Sequence, residues 1–262
     1  VAGAGIQSIG LINNVSPQAR LLGVKSLTPE ESFNTTLGIG ARVTEDINLT
    51  FDYYDIFIDN RIVISNRVPL GTSGEVEFFT NSIDTKTAGV DLVVDYKNIN
   101  VGSGVLGLSF AGNINLKNER KHAIPQVKGT NVIDATQEAL FFTSRPKQKF
   151  VVGATYETEN INLSLNNTYF GSTEFRQAGM DPNLKTVFEA KVVSDLALTY
   201  DLFANVSLSA NVNNVLDVKP KWSFEALNAA GRAILNNPAQ KKIQTNLITF
   251  NGRYDIMTYD GY

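Results

Sequence analysis

Cysteine is absent from the 262 residues, and histidine occurs once, at His122. Without thiols the chain can build neither a disulfide framework nor a thiolate metal site. A single imidazole cannot make a histidine-zinc cluster or a Cys-His pair. Ser-His-Asp chemistry has only His122 to draw on, and in the charged run KNERKH that residue reads as structural or solvated. A basic excess is also missing: 23 Lys and Arg against 26 Asp and Glu give a net charge of −3, which supplies no electrostatic drive toward nucleic acid. No window approaches 18 consecutive apolar residues, so an ordinary transmembrane helix is excluded. A membrane-crossing β-structure is not excluded, because each of its strands needs only about ten alternating residues. Val1 is not followed by a basic-then-apolar leader, the pattern of a mature chain or a fragment.

Catalytic constellations are missing as well. Carboxylates such as Glu30, Glu31, Asp52 and Asp55 are plentiful, but nothing sets two of them apart as an acid-base pair. GTSG at 71–74 lacks the Lys-Ser/Thr ending of a phosphate cradle. The sequence points to no enzyme, no metal and no cofactor. A hydrophobic content of 43% with 19% charge does suit a packed chain.

What is present is period-two alternation from residue 32 almost to the end. Leu106, Leu108, Phe110, Gly112, Ile114 and Leu116 alternate with Gly107, Ser109, Ala111, Asn113, Asn115 and Lys117. The same reading yields nine strands, at about 32–43, 47–60, 84–96, 103–117, 146–157, 161–172, 186–200, 203–216 and 245–258. Several exceed ten residues, whereas strands of soluble proteins run to about five or six. Short connections alternate with long ones, at 61–83, 118–145, 173–185 and 217–244. In an up-and-down sheet that sorting puts short turns at one end and long loops at the other, the asymmetry of outer-membrane barrels. The expected fold is therefore an all-β, antiparallel up-and-down transmembrane β-barrel, of which the chain supplies about nine strands.

Three apolar rows end in tyrosine directly before a short turn: Tyr96, Tyr156 and Tyr200. An amphipathic ring suits the boundary between hydrocarbon and water, so these three are expected to form a girdle at the periplasmic interface. The opposite rows, Asn162, Ser164, Asn166, Thr168 and Asn205, Ser207, Ser209, Asn211, suit a wet or plugged lumen, or the solvated face of a sandwich. Some segments depart from the pattern. In LTFDYYDIFID the apolar phase shifts between Tyr53 and Tyr54, as a bulge or an exit from the bilayer would cause. Residues 1–26 fit an outer loop or a broken strand. SFEALNAAGRAILNN fits a short helix burying Phe224, Leu227 and Ile234, weakened by Gly231. Asn251-Gly252 offers a tight turn that would split the ninth strand into two.

Across roughly residues 27–220 the sequence resembles the TonB-dependent outer-membrane receptors. LTPEESFNTTLGIG at 27–40, DYYDIFIDNRIVIS at 52–65, TAGVDLVVDY at 87–96 and RPKQKFVVGATY at 145–156 are similar to successive strands of that family, as are NTYFGS at 167–172 and NNVLDVKP at 213–220. The resemblance implies the C-terminal portion of an outer-membrane β-barrel over residues 1–262, in a family with a plug domain and 22 strands. No plug, no TonB box and no aromatic-ended final strand is evident in this sequence. It also implies a bacterial outer-membrane location and energy-coupled uptake of a nutrient such as a ferric siderophore, cobalamin or oligosaccharide. The implied partners are the bilayer and lipopolysaccharide, the remaining barrel and plug segments, the TonB energy-coupling complex and a small-molecule ligand. Ligand contacts fall in the long loops, where Arg67, Phe78, Phe79, Arg120, Lys121, His122 and Trp222 offer stacking and charge. Two other readings stand beside this one: a receptor-like barrel acting as a binding or structural component of a surface complex, and a soluble all-β binding protein.

Overall fold

The computed structural model describes residues 9–71, 74–177 and 179–250. Eight strands form one sheet in chain order: β1 (Glu31–Arg42), β2 (Ile47–Ile64), β3 (Phe79–Val101), β4 (Gly104–Arg120), β5 (Gln148–Glu157), β6 (Ile161–Phe170), β7 (Lys191–Phe203) and β8 (Val206–Val212). Each strand pairs only with its chain neighbours, so the sheet is an antiparallel meander. The connections at 43–46, 102–103, 158–160 and 204–205 are short, and those between β2 and β3, β4 and β5, and β6 and β7 are long. Local chemistry closes the short turns. Gly102 takes a left-handed φ of 59° between β3 and β4, and the Thr158 hydroxyl accepts the Ile161 N–H at 3.1 Å between β5 and β6.

Register turns the alternating rows into two chemical faces. Leu106, Tyr156, Leu163, Leu198 and Ala210 stand side by side, and so do Leu108, Ala154, Leu165, Leu196 and Val212. On the other face Ser109, Gly153, Asn166 and Asp195 are aligned, as are Gly107, Thr155, Ser164, Ala197 and Asn211. A run of eleven residues, Leu106 to Leu116, carries β4's apolar row. At about 3.3 Å per residue and a tilt near 40°, that matches an apolar band of about 25 Å. Asn167 and Ser194 interrupt the apolar face. They lie directly opposite each other, and the Ser194 hydroxyl donates to Asn167 Oδ1 at 2.7 Å, so each offsets the other's desolvation.

The phase change at Tyr53 and Tyr54 also resolves. Asn113 Nδ2 lies 3.2 Å from the Tyr54 hydroxyl and 2.7 Å from Asp91 Oδ1, which places Tyr54 on the polar face. The shift coincides with the boundary between the two compact units, which falls between Tyr54 and Asp55.

One unit comprises Val1–Thr35, Asp55–Ala88 and Lys117–Glu138. Its core is Ala19, Leu22, Val24, Val68, Val76 and Phe78. A helix at Pro17–Leu22, capped by the Ser16 side chain and by Gly23 at φ 74°, supplies the first two. The strand Ile9–Leu11 runs parallel to Glu75–Glu77, which also pairs with Val68–Pro69. Among the described residues of 9–26 the chain is thus a three-residue strand followed by a helix. Asn81 holds the LTPE motif in place: its amide exchanges hydrogen bonds with the Thr28 N–H and carbonyl at 2.8 and 2.9 Å, as a neighbouring strand would.

The second unit comprises Thr36–Tyr54, Gly89–Leu116 and Ala139–Tyr262. Beside the long strands it holds a small antiparallel sheet of Thr173–Phe175, Leu184–Phe188 and Trp222–Ala226. The expected strand at 186–200 is therefore two, because the chain leaves this sheet at Glu189 and enters the large one at Lys191. The expected ninth strand at 245–258 is not a strand over its first residues: Pro238–Phe250 is a helix, and the rest lies outside the described residues, as does the Asn251-Gly252 turn. Asn237 caps that helix by accepting the Ala239 and Gln240 N–H groups, and Pro238 starts it, a stronger local signal than the alternation that follows. The helix expected within SFEALNAAGRAILNN begins only at Ala229, capped by Asn228. Phe224 is on a strand, half-buried, and Leu227 is exposed. Gly231 is required rather than merely tolerated, since a Cβ there would meet the Asn183 carbonyl oxygen at 2.3 Å.

Candidate functional site

Phe78 and Phe79 have identical side chains and opposite surroundings. Adjacent residues of an extended chain face opposite sides, and here one side is the core: Phe78 is 1% exposed, Phe79 42%. The expectation that Phe78 contacts a ligand is therefore corrected; its ring is sealed among Ala19, Leu22 and Val76. Phe79 instead lines an open cavity of about 560 Å³ with Leu11, Ile12, Asn13, Asn14, Val15, Ser26 and Leu27. The Asn14 amide fixes the rim by donating to the Lys25 and Phe79 carbonyls at 2.9 and 2.7 Å. None of the lining residues is charged. Leu11 carries no sequence signal that would have placed it there, because parallel pairing with Glu75–Glu77 brings it in.

The basic run after β4 is engaged in ion pairs. Arg120 reaches the Glu138 carboxylate at 3.1 Å and donates to the His122 carbonyl. Lys121 pairs with Glu119 at 2.7 Å, and the Lys121 ammonium beside it holds the Glu119 carboxyl below the usual range. His122 Nδ1 stands 2.6 Å from Asp84 Oδ2. Arg67 is 3.6 Å from Glu77 and half-exposed. All six of these candidates belong to the first unit. Asp84, the partner of His122, comes from β3, 38 positions away in sequence, and local sequence has no means of indicating it.

Trp222 belongs to the second unit. Half-buried, it packs on Ala139, Phe175 and Phe188 and meets Phe224 edge-on, ring centroids 5.3 Å apart and planes at 76°. Beside it Lys185 bridges Glu174 at 2.8 Å and Glu225 at 3.2 Å. The Glu174 hydrogen bond, then that of Glu225, raises the Lys185 pKa against the opposing effect of its burial.

Tyr96 and Tyr200 expose about two-fifths of their surface, and Tyr156 is half-buried. The Tyr156 ring covers Gly104, whose Cβ would fall 2.7 Å from it, and its hydroxyl donates to the Val101 carbonyl at 3.1 Å. Tyr156 lies opposite Leu163, and Tyr200 opposite Ile161, two positions earlier on β6. Two strand spacings of about 4.8 Å at a tilt near 40° produce an offset of about 8 Å, or roughly two residues, between points at one height.

The β-barrel model of the TonB dependent receptor-like family matches residues 3–215. No curated protein matches the chain. Among solved structures, the FrpB iron transporter of Neisseria meningitidis (F3-3 variant) is similar at a TM-score of 0.53 and 14% identity, over 81% of this chain and 29% of that one. The siderophore receptor PirA of Acinetobacter baumannii gives 0.52 and 14% over 73% and 28%. A mutant of the ferric enterobactin receptor PfeA of Pseudomonas aeruginosa, in complex with enterobactin, gives 0.53 and 17% over 75% and 27%. The chain thus spans under a third of each of these structures. With the family matched over most of its length and the meander shared with solved receptors, the chain belongs to the TonB-dependent receptor β-barrel family.

Proposed function

We propose that this chain is the C-terminal part of an outer-membrane receptor barrel that takes up a small nutrient, such as a ferric siderophore, cobalamin or oligosaccharide, by energy coupling through TonB. One observation carries the reading: the apolar face of the eight-stranded sheet stays open, with Leu108, Val152, Leu163, Leu165, Leu198 and Leu208 all exposed. Water does not tolerate so broad an apolar face on a soluble protein, whereas lipid requires it. Family membership and the iron and siderophore receptors among the similar structures support the nutrient class.

In this reading Tyr96, Tyr156 and Tyr200 form the periplasmic girdle, and the two-residue offset between Tyr156 and Tyr200 has the size that strand tilt produces. The edge strands β1 and β8 are exposed throughout, and unpaired backbone is not stable in hydrocarbon, so further strands pair with both. Those strands, the plug and the TonB complex are partners, as are lipid and lipopolysaccharide. Phe79 with its cavity, Arg67, Arg120, Lys121, His122 and Trp222 are the ligand candidates of the outer loops.

Growth of a deletion strain on single iron, cobalamin or oligosaccharide sources tests the proposal. Loss of growth on one source, restored by the full-length gene, is expected. Unimpaired growth on every source, with the protein still in the outer membrane, would favour a structural role in a surface complex.

A further inference from the structure

Leu11, Val15, Leu27 and Phe79 leave between 42% and 61% of their surface open, and all four line the same cavity of about 560 Å³. A single exposed apolar side chain is ordinary, but four converging on one hollow mark a surface that something covers. The hollow lies wholly within the unit whose core holds Ala19 and Phe78. Ile12, part of its lining, packs against that core and so supports it from below. Both amide hydrogens of Asn14 go to the Lys25 and Phe79 carbonyls, which ties the wall around Val15 to the wall around Leu27 and Phe79. The cavity is therefore formed before anything enters it, and no ordering cost falls on an incoming molecule.

Its size and lining select the occupant. Small-molecule sites run to roughly 300–1,000 Å³, and this cavity falls inside that range. No lining residue is charged. A carboxylate, phosphate or catecholate entering it would give up water with no cation to receive it, whereas an apolar ring or chain gives up water at a gain. Two polar handles remain: the Ser26 hydroxyl and Asn13 Nδ2 have no protein partner among the described residues, and they suit one hydroxyl, ether or carbonyl oxygen.

We infer that this cavity binds an uncharged small molecule, or an uncharged arm of a larger one, with an apolar body such as an aromatic ring or a short aliphatic chain. That the molecule is a nutrient rests on the uptake reading above, which the inference narrows: the part held here carries no charge. A docking polypeptide strand fits less well, because the nearby backbone is already engaged. The Ile12 and Ser16 N–H groups go to the Glu77 and Asn13 carbonyls, and the Val15 N–H to Asn13 Oδ1. The Lys25 and Phe79 carbonyls are taken by Asn14, and both backbone groups of Thr28 by Asn81. Strand addition finds no ladder to join at these positions, and side chains alone define the contact.

Photolabelling of the full-length receptor in outer-membrane vesicles tests this with two probes of one shape, a neutral trifluoromethyl phenyl diazirine and its para-carboxylate, mapped by peptide mass spectrometry. The neutral probe is expected to label peptides covering residues 11–27 and 79 at least about tenfold more than the carboxylate. Excess trifluoromethylbenzene should suppress that labelling, while labelling of the long strands from the lipid does not saturate. Val15→Glu, which sets a carboxylate in the cavity, should cut the neutral label on Leu27 and Phe79 about tenfold. Equal or stronger labelling by the carboxylate, labelling that the competitor leaves unchanged, or no label at 11–27 and 79, as when upstream chain or a second copy fills the cavity, would overturn the inference. The comparison of the two probes needs no variant, so misfolding of V15E leaves the test standing. Unimpaired growth of the deletion strain with the labelling intact would end the uptake reading and keep the site, and a growth defect without labelling would do the reverse.

Discussion

Placing arginine at Val152 tests directly which face of the sheet meets lipid. Val152 is half-exposed on the apolar face between Phe110 and Asn167, four positions from Tyr156. Four residues at about 3.3 Å, inclined near 40°, put it roughly 10 Å above the tyrosine, close to the middle of an apolar band about 25 Å tall. An arginine at that depth costs about 2–4 kcal/mol in a membrane barrel. On a face in contact with water the same exchange stays within about 0.5 kcal/mol. Asn166→Arg is the control, because the neighbouring residue faces the other way and stands opposite Asp195, which can accept the new charge. The assay is folding of the full-length receptor into phospholipid vesicles against urea, followed by the electrophoretic mobility of the folded form. The expected order is wild type equal to N166R, with V152R losing most of its folded fraction. Equal tolerance of both variants, or the reverse order, would refute the assignment of faces.

Phe78→Ala should lower stability by about 3–5 kcal/mol through the cavity it leaves, whereas Phe79→Ala should change the melting temperature little and alter only what the 560 Å³ cavity binds. Tyr156→Phe removes the hydroxyl that bonds the Val101 carbonyl; a loss of about 1 kcal/mol is expected in the same urea titration, with the ring still covering Gly104. Lys185→Met leaves Glu174 and Glu225 without their shared cation and should cost about 1 kcal/mol at neutral pH. Because the Lys185 pKa is raised, its contribution is complete below the ordinary lysine range and fades only as pH climbs through the raised value, so the wild-type and variant melting temperatures should converge only in strong alkali.

Sequence alone determined the part of this protein whose chemistry is periodic. Leu106 to Leu116 alternate because one side meets apolar surroundings and the other polar ones, and that rhythm, with the order of short and long connections, fixes an up-and-down sheet without knowledge of any contact. Where a local cap competes with alternation, as Asn237 does before Pro238–Phe250, the helix prevails and the rhythm misleads. The loops were decided only by tertiary structure. Whether Phe78 or Phe79 faces the core depends on where the helix Pro17–Leu22 lies, and which carboxylate meets His122 depends on β3 passing the end of β4. Such contacts join residues tens of positions apart whose types are ordinary at either place, so no local pattern of hydropathy or charge encodes them.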